Sequence, residues 1–147
     1  MIRLTFQTNR RTQWLPVTRA LQKALDALPP WSGLLHVHSP HTTAGLTLNE
    51  QADPDVAADM EQALARLIPW KGPYAHGEGN SAAHIQTALM GVSILLPVQN
   101  GRLALGTWQG LFLCEFDGPR TRELWLTPMP AAPMPSTDAP APKAPAP

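Results

Sequence analysis

The chain lacks the features that would place it in several large classes. It has one cysteine in 147 residues, so no intramolecular disulfide framework can form. Eleven Lys and Arg balance eleven Asp and Glu. No segment carries a basic stripe, which argues against a nucleic-acid partner. No apolar run approaches the roughly 18 residues that mark a membrane-spanning helix. The opening MIRLTFQTNRR also lacks the continuous apolar centre of a signal peptide. A soluble, cytoplasmic protein without a membrane partner is expected. The single thiol, Cys114, lies in the apolar run LFLCEF and is expected to be buried and inert.

Proline is abundant but unevenly spread. Eight of the seventeen fall in residues 128–147, PMPAAPMPSTDAPAPKAPAP. Proline fixes φ and removes a donor, so this segment is expected to be a disordered or polyproline-like tail. The expected domain is residues 1–127.

Within that domain, IRLTFQT alternates as a strand. Val17, Leu21, Ala24, Leu25 and Leu28 recur at helical spacing before Pro29-Pro30. Residues 33–39 and 44–49 read as strands. Asp53-Pro54 is a helix start, with a capping carboxylate and proline at the first helical position; Val56, Met60, Ala63, Leu64 and Leu67 form its apolar face. A short helix starts near Ser81, with Ile85, Ala88 and Leu89 as its apolar side and Gly91 just past its end. Strands follow at 93–98, 102–105, 111–117 and 121–127, and Asn100-Gly101 signals a hairpin. Helices and strands mix irregularly, so the fold class is α+β.

The chemistry concentrates in two places. PYAHGEGNSAAHI, residues 73–85, brackets a glycine-punctuated loop with His76 and His84 and holds Glu78 and Asn80. His84 falls in the first turn of the helix, where the dipole favours the neutral imidazole that binds metal. The glycines and helix start suit an anion. A solvated loop ahead of a capped helix is the plain alternative. His36 and His38 share one strand face and read as structural or interface residues; His41 begins a polar stretch. Trp108-Gln109 suits either a packed turn or a pocket wall, and Arg120 an anion contact or a hairpin cap.

The segments H41-T-T-A-G-L-T-L-N-E50, H76-G-E-G-N80 with A83-H-I85, L96-P-V98, and G101-R-L-A-L-G-T-W-Q-G110 with E115-F-D-G-P-R120 resemble the YjbQ-type family, often labelled secondary thiamine-phosphate synthase. The resemblance covers residues 1–127 in order. It implies a curved mixed β-sheet or sandwich with two to three helices packed on it, assembled as a homotrimer. It also implies a divalent-metal site, zinc or magnesium, on His41, His76 and His84. Thr43, Asn49, Glu50, Glu78 and Asn80 would surround the metal, with Trp108, Gln109 and Arg120 close by. Ala82 and Gln86 stand where the family usually has Asp and Lys.

The implied reaction joins hydroxymethylpyrimidine diphosphate to thiazole phosphate with release of pyrophosphate. The ion would neutralise the leaving diphosphate, the helix start and Arg120 would hold phosphate, and Trp108 would stack on a flat ring. One alternative is a metal-dependent hydrolase of a phosphorylated small molecule, with Glu78 or Glu50 as general base. The other is a non-catalytic trimer that binds metal or anion.

Overall fold

The computed structural model describes residues 1–132. Eight strands and three helices follow in the order β1 (Ile2–Gln7), β2 (Gln13–Pro16), α1 (Thr18–Leu25), β3 (Gly33–His38), β4 (Ala44–Glu50), α2 (Pro54–Leu67), α3 (Ser81–Met90), β5 (Ser93–Gln99), β6 (Arg102–Leu103), β7 (Gln109–Glu115) and β8 (Thr121–Pro130). They form a five-stranded sheet, β1-β8-β3-β5-β6, and a three-stranded sheet, β2-β7-β4. Every pairing among them is antiparallel. The mixed sheet expected from the resemblance is therefore corrected to an antiparallel one. Parallel neighbours need a crossover within one sheet. Here α1 leads from β2 in the small sheet to β3 in the large one, and α2 with α3 leads from β4 back to β5.

Alternation along the strands sorts side chains into layers. Leu35, Val37, Leu96, Val98, Leu124 and Leu126 of the large sheet meet Ala44, Leu46, Leu111 and Leu113 of the small one, with α1 adding Val17, Leu21 and Leu25. The opposite face of β7 presents Phe112 and Cys114, which join Phe116, Trp14, Leu64 and Ala83 in a second core under α2 and α3. Because β7 is buried on both faces, it reads as the continuous apolar run LFLC rather than an alternation. Burying each such leucine contributes about 1.5–3 kcal/mol.

Local signals account for the ends of the elements. The Asp53 carboxylate accepts the Asp55 N–H at 2.9 Å and caps α2, with Pro54 at its first position. Asn100 and Gly101 take φ values of 49° and 77° in the β5–β6 turn.

Strand β8 continues to Pro130, three residues beyond the expected domain end, with Leu35 opposite Pro128 and Gly33 opposite Pro130. The Ala131 N–H donates to Ser32 O, so odd-numbered residues here turn their N–H toward β3. Pro128 and Pro130 face the other way, past the first residue of β1's register, Ile2 opposite Leu126. No ladder donor is lost. The rest of the expected tail lies outside the described residues.

The buried face of α3 differs from the expected one. Ala82, Ala83, Gln86 and Thr87 are buried, whereas Ile85 and Leu89 are 37% and 62% exposed. Small residues let this helix lie close to β4. A Cβ at Gly45 would stand 2.8 Å from Met90 Cβ and 2.9 Å from Gly91 O, and the Leu46 N–H donates to that same carbonyl. Glycine at position 45 is thus required by the approach of the helix end.

Candidate functional site: a polar pocket at the Thr43 end of β4

A buried ion pair crosses between the sheets and anchors the site. Glu115 ends β7 and Arg122 lies near the start of β8, both facing inward. Arg122 Nε donates to Glu115 Oε2 at 2.6 Å, and Nη2 donates to Glu115 Oε1 and to Thr43 Oγ1 at 2.9 Å. The same carboxylate accepts from Thr8 Oγ1 at 3.0 Å, the Phe116 N–H at 3.0 Å and the Asp117 N–H at 2.8 Å. A buried charge is tolerable when its lone pairs are filled in this way. This cluster fixes Thr43, β7 and β8 with respect to one another.

His41 lies in the β3–β4 loop, which is braced by Ser39 Oγ donating to Ala44 O at 2.8 Å. The Glu123 N–H donates to His41 Nε2 at 2.9 Å, so Nε2 is the unprotonated nitrogen and Nδ1 carries the hydrogen. Burial, and next the nearby Arg122 guanidinium, lower the His41 pKa below its ordinary 6.5, which favours this neutral tautomer.

Asn80 precedes α3 without capping it through its side chain. Its Nδ2 donates instead to Asp117 Oδ2 at 3.1 Å and reaches Glu78 Oε2 at 3.5 Å, while its buried Oδ1 has no partner. Asp117 also accepts from Arg120 Nη2 at 2.6 Å, and Arg120 Nε donates to the Asp117 carbonyl. The Arg120 side chain is about half exposed and remains open to a ligand on its outer side.

His41, Thr43, Glu78, Asn80, His84 and Arg120 therefore line one polar cavity of about 320 Å³, together with Asp117 and Arg122. His84 also borders two neighbouring cavities. One, of about 510 Å³, contains His76. The other, of about 560 Å³, contains Trp125. The His76 and His84 rings meet edge to face at 5.5 Å, and His76 Nε2 lies 3.6 Å from Glu78 Oε2.

Besides His76, which lines the adjoining cavity, four expected site residues are not brought to this pocket. Asn49 and Glu50 lie at the far end of β4, and six residues of strand separate Asn49 from Thr43 by roughly 20 Å. Gln109 is opposite Glu50. Its side chain accepts the Gly106 N–H at 2.8 Å and braces its own turn. Trp108 is 63% exposed in that turn, and its carbonyl accepts the Gln51 N–H.

The three histidines do not converge as a metal triad in this arrangement. His41 Nε2 is occupied by the Glu123 N–H, and among the described residues no group of three His, Cys, Asp or Glu side chains is placed to hold an ion. Ala82 and Gln86 fall on the buried face of α3, where Gln86 Nε2 donates to Ile68 O at 3.2 Å. Cys114 is fully buried and free, and burial raises its thiol pKa far above the ordinary value.

The sequence reading missed Glu115, Asp117 and Arg122. A signal was available for Arg122, since it is in phase with the inward-facing Leu124 and Leu126 and must point into the core.

An α+β domain of two antiparallel sheets and three helices, with a histidine- and arginine-lined pocket at one end, defines the class. The family model described as UPF0047 protein YjbQ-like matches residues 2–131, and the chain belongs to that family. It is 44% identical over 127 residues to the UPF0047 protein YugU of Bacillus subtilis, covering 86% of this chain and 96% of that one. A crystal structure of a YjbQ/UPF0047 family protein from Clostridium acetobutylicum superposes with a TM-score of 0.84 at 44% identity, covering 86% and 98% of the two chains. A conserved hypothetical protein from Thermus thermophilus gives 0.82 at 45% identity, covering 88% and 100%. No helix among the described residues is long and apolar enough to cross a membrane.

Proposed function

We propose that the pocket at the Thr43 end of β4 binds a phosphorylated small molecule and displaces its pyrophosphate group. The acceptor would be a thiazole phosphate and the donor a hydroxymethylpyrimidine diphosphate, the reaction implied by the resemblance to secondary thiamine-phosphate synthase. The observation that carries this reading is the meeting of Arg120, His41, His84 and Asn80 from three separate segments in one polar cavity. Arg120 holds phosphate oxygens through its open side. The His41 Nδ1–H donates to an oxygen of the departing pyrophosphate, and the fixed charge of Arg122 lowers the energy of the anion as it develops. The thiazole nitrogen attacks with its own lone pair and has no proton to lose, so this reaction leaves Glu78 without a role as base. Trimeric assembly belongs to the same proposal and is checked by light scattering.

Hydrolysis of a single phosphorylated substrate differs at one residue. Its water must lose a proton, and the exposed Glu78 carboxylate is the group placed to take it. Pyrophosphate release that needs both organic substrates and survives Glu78→Gln supports transfer. Phosphate release from one substrate, lost in Glu78→Gln, replaces transfer with hydrolysis. Binding without turnover reduces the protein to an anion-binding module.

A second reading adds a divalent ion, zinc or magnesium, held by His76, His84 and Glu78 after their side chains turn onto one point: the two rings are 5.5 Å apart and His76 Nε2 lies 3.6 Å from Glu78 Oε2, neighbours but not yet a ligand set. Elemental analysis tests it. Stoichiometric metal lost in His76→Ala and His84→Ala but kept in His41→Ala supports these donors. Loss in His41→Ala as well restores the triad implied by the resemblance.

A further inference from the structure

The cavity of about 560 Å³ beyond His84 differs in character from the polar pocket it adjoins. The two share Pro40, His41, Thr42 and His84. The far walls are Ala88, Val92 and the rings of Trp125 and His38. Both rings are held in place. Trp125 Nε1 donates to Glu123 Oε2 at 3.0 Å, and the Arg3 guanidinium lies 5.3 Å from the indole centroid. His38 Nδ1 lies 2.7 Å from Ser93 Oγ, and its ring is 5.7 Å from that of Trp125 at a tilt of 48°. Fixed aromatic walls cost little entropy when a ligand binds.

We propose that this chamber is the ring subsite of the same ligand: a planar aromatic group lies against Trp125 and His38 while its phosphate ester sits beside Arg120, with His41 and His84 at the junction. The inference rests on the phosphate-binding reading above and adds to it the place where the substrate's aromatic ring lies, with Trp125 and His38 as the residues that select an aromatic over an aliphatic phosphate ester. It also moves the ring contact from Trp108, exposed in a distant turn, to Trp125.

Calorimetry with phenyl phosphate and methyl phosphate tests it, alongside nuclear magnetic resonance of the tryptophan indole N–H groups. Trp125→Phe identifies the Trp125 signal by its disappearance. Phenyl phosphate is expected to bind roughly tenfold more tightly than methyl phosphate. That advantage should vanish in Trp125→Ala and largely survive in Trp125→Phe, and the Trp125 resonance should move with phenyl phosphate alone. Equal affinities, or an advantage unaffected by Trp125→Ala, overturn the ring subsite while leaving phosphate binding intact. If neither ester binds, the phosphate reading fails separately, and benzyl alcohol decides the chamber. Movement of the Trp125 resonance with that uncharged ring retains it, and no movement removes it.

Discussion

At one end of β4, Thr43 lies beside an arginine held by a buried glutamate, and residues from the Glu78–His84 and Asp117–Arg122 segments converge on the same cavity. At the other end, Asn49 accepts the N–H of its own neighbour Glu50, Gln51 donates to Trp108 O, and Gln109 holds the Gly106 N–H. Both ends are polar and both belong to one continuous stretch, HTTAGLTLNE. They differ in where their hydrogen bonds go. Polar groups at the Glu50 end are used locally to close turns. Those at the Thr43 end come from segments far apart in the chain and leave Arg120, His84 and the Asn80 Oδ1 with capacity to spare. Polarity alone therefore does not mark a site, whereas unspent polar capacity gathered from several segments does.

The largest expected contrast between the two ends is in stability. Glu115→Ala leaves Arg122 buried and unpaired and should cost about 3–5 kcal/mol in urea unfolding. Glu50→Gln should stay within about 0.5 kcal/mol. A small loss for Glu115→Ala would mean that the inter-sheet ion pair does not organise the Thr43 end.

Function should separate the ends next. Arg120→Ala is expected to reduce turnover by roughly 100-fold or more with little change in the unfolding midpoint, since its ion pair with Asp117 is half exposed, while Gln109→Ala leaves turnover unchanged. Comparable losses in the two variants would erase the distinction between a site and a braced turn.

Gly45→Ala links packing to the site. The added methyl would meet Met90 and the Gly91 carbonyl, costing about 1–3 kcal/mol and displacing α3, which carries His84. Ligand affinity should fall together with stability. Lost stability with unchanged affinity would show that the position of α3 does not set the pocket.

The smallest effect concerns pH. The His41 pKa is lowered in the folded state, so below 6.5 the unfolded chain takes up a proton that the folded chain resists. This contribution is present above pH 6.5 and is lost as pH falls through that value toward the folded pKa. Protonation also turns Nε2 into a donor and removes its bond from the Glu123 N–H. His41→Gln should flatten this part of the stability profile, measured by urea unfolding between pH 7 and pH 5. An unchanged slope would contradict the tautomer deduced from Glu123.

Much of the fold was legible because the relevant signals are local. Asp53-Pro54 starts α2, Asn100-Gly101 makes a turn, and β1 alternates. Strand β2 was not legible, since QWLP is four residues long and ends in proline. The buried face of α3 was misread because its contacts are made by alanines, Gln86 and Thr87, leaving the larger Ile85 and Leu89 outside. In the site, the histidines and Arg120 stood out as residue types. The Glu115–Arg122 pair did not, because a charge at a strand end looks solvated until the partner strand is known. The separation of Thr43 from Asn49 was hidden for the same reason, as one motif spans the length of a strand.

Calorimetry with inorganic pyrophosphate on the wild-type protein, Arg120→Ala and Glu50→Gln tests the central claim most directly. The Thr43-end pocket predicts measurable binding in wild type, unchanged affinity in Glu50→Gln, and at least a roughly tenfold loss in Arg120→Ala. No binding in wild type, or a loss in Glu50→Gln with full affinity in Arg120→Ala, would contradict it.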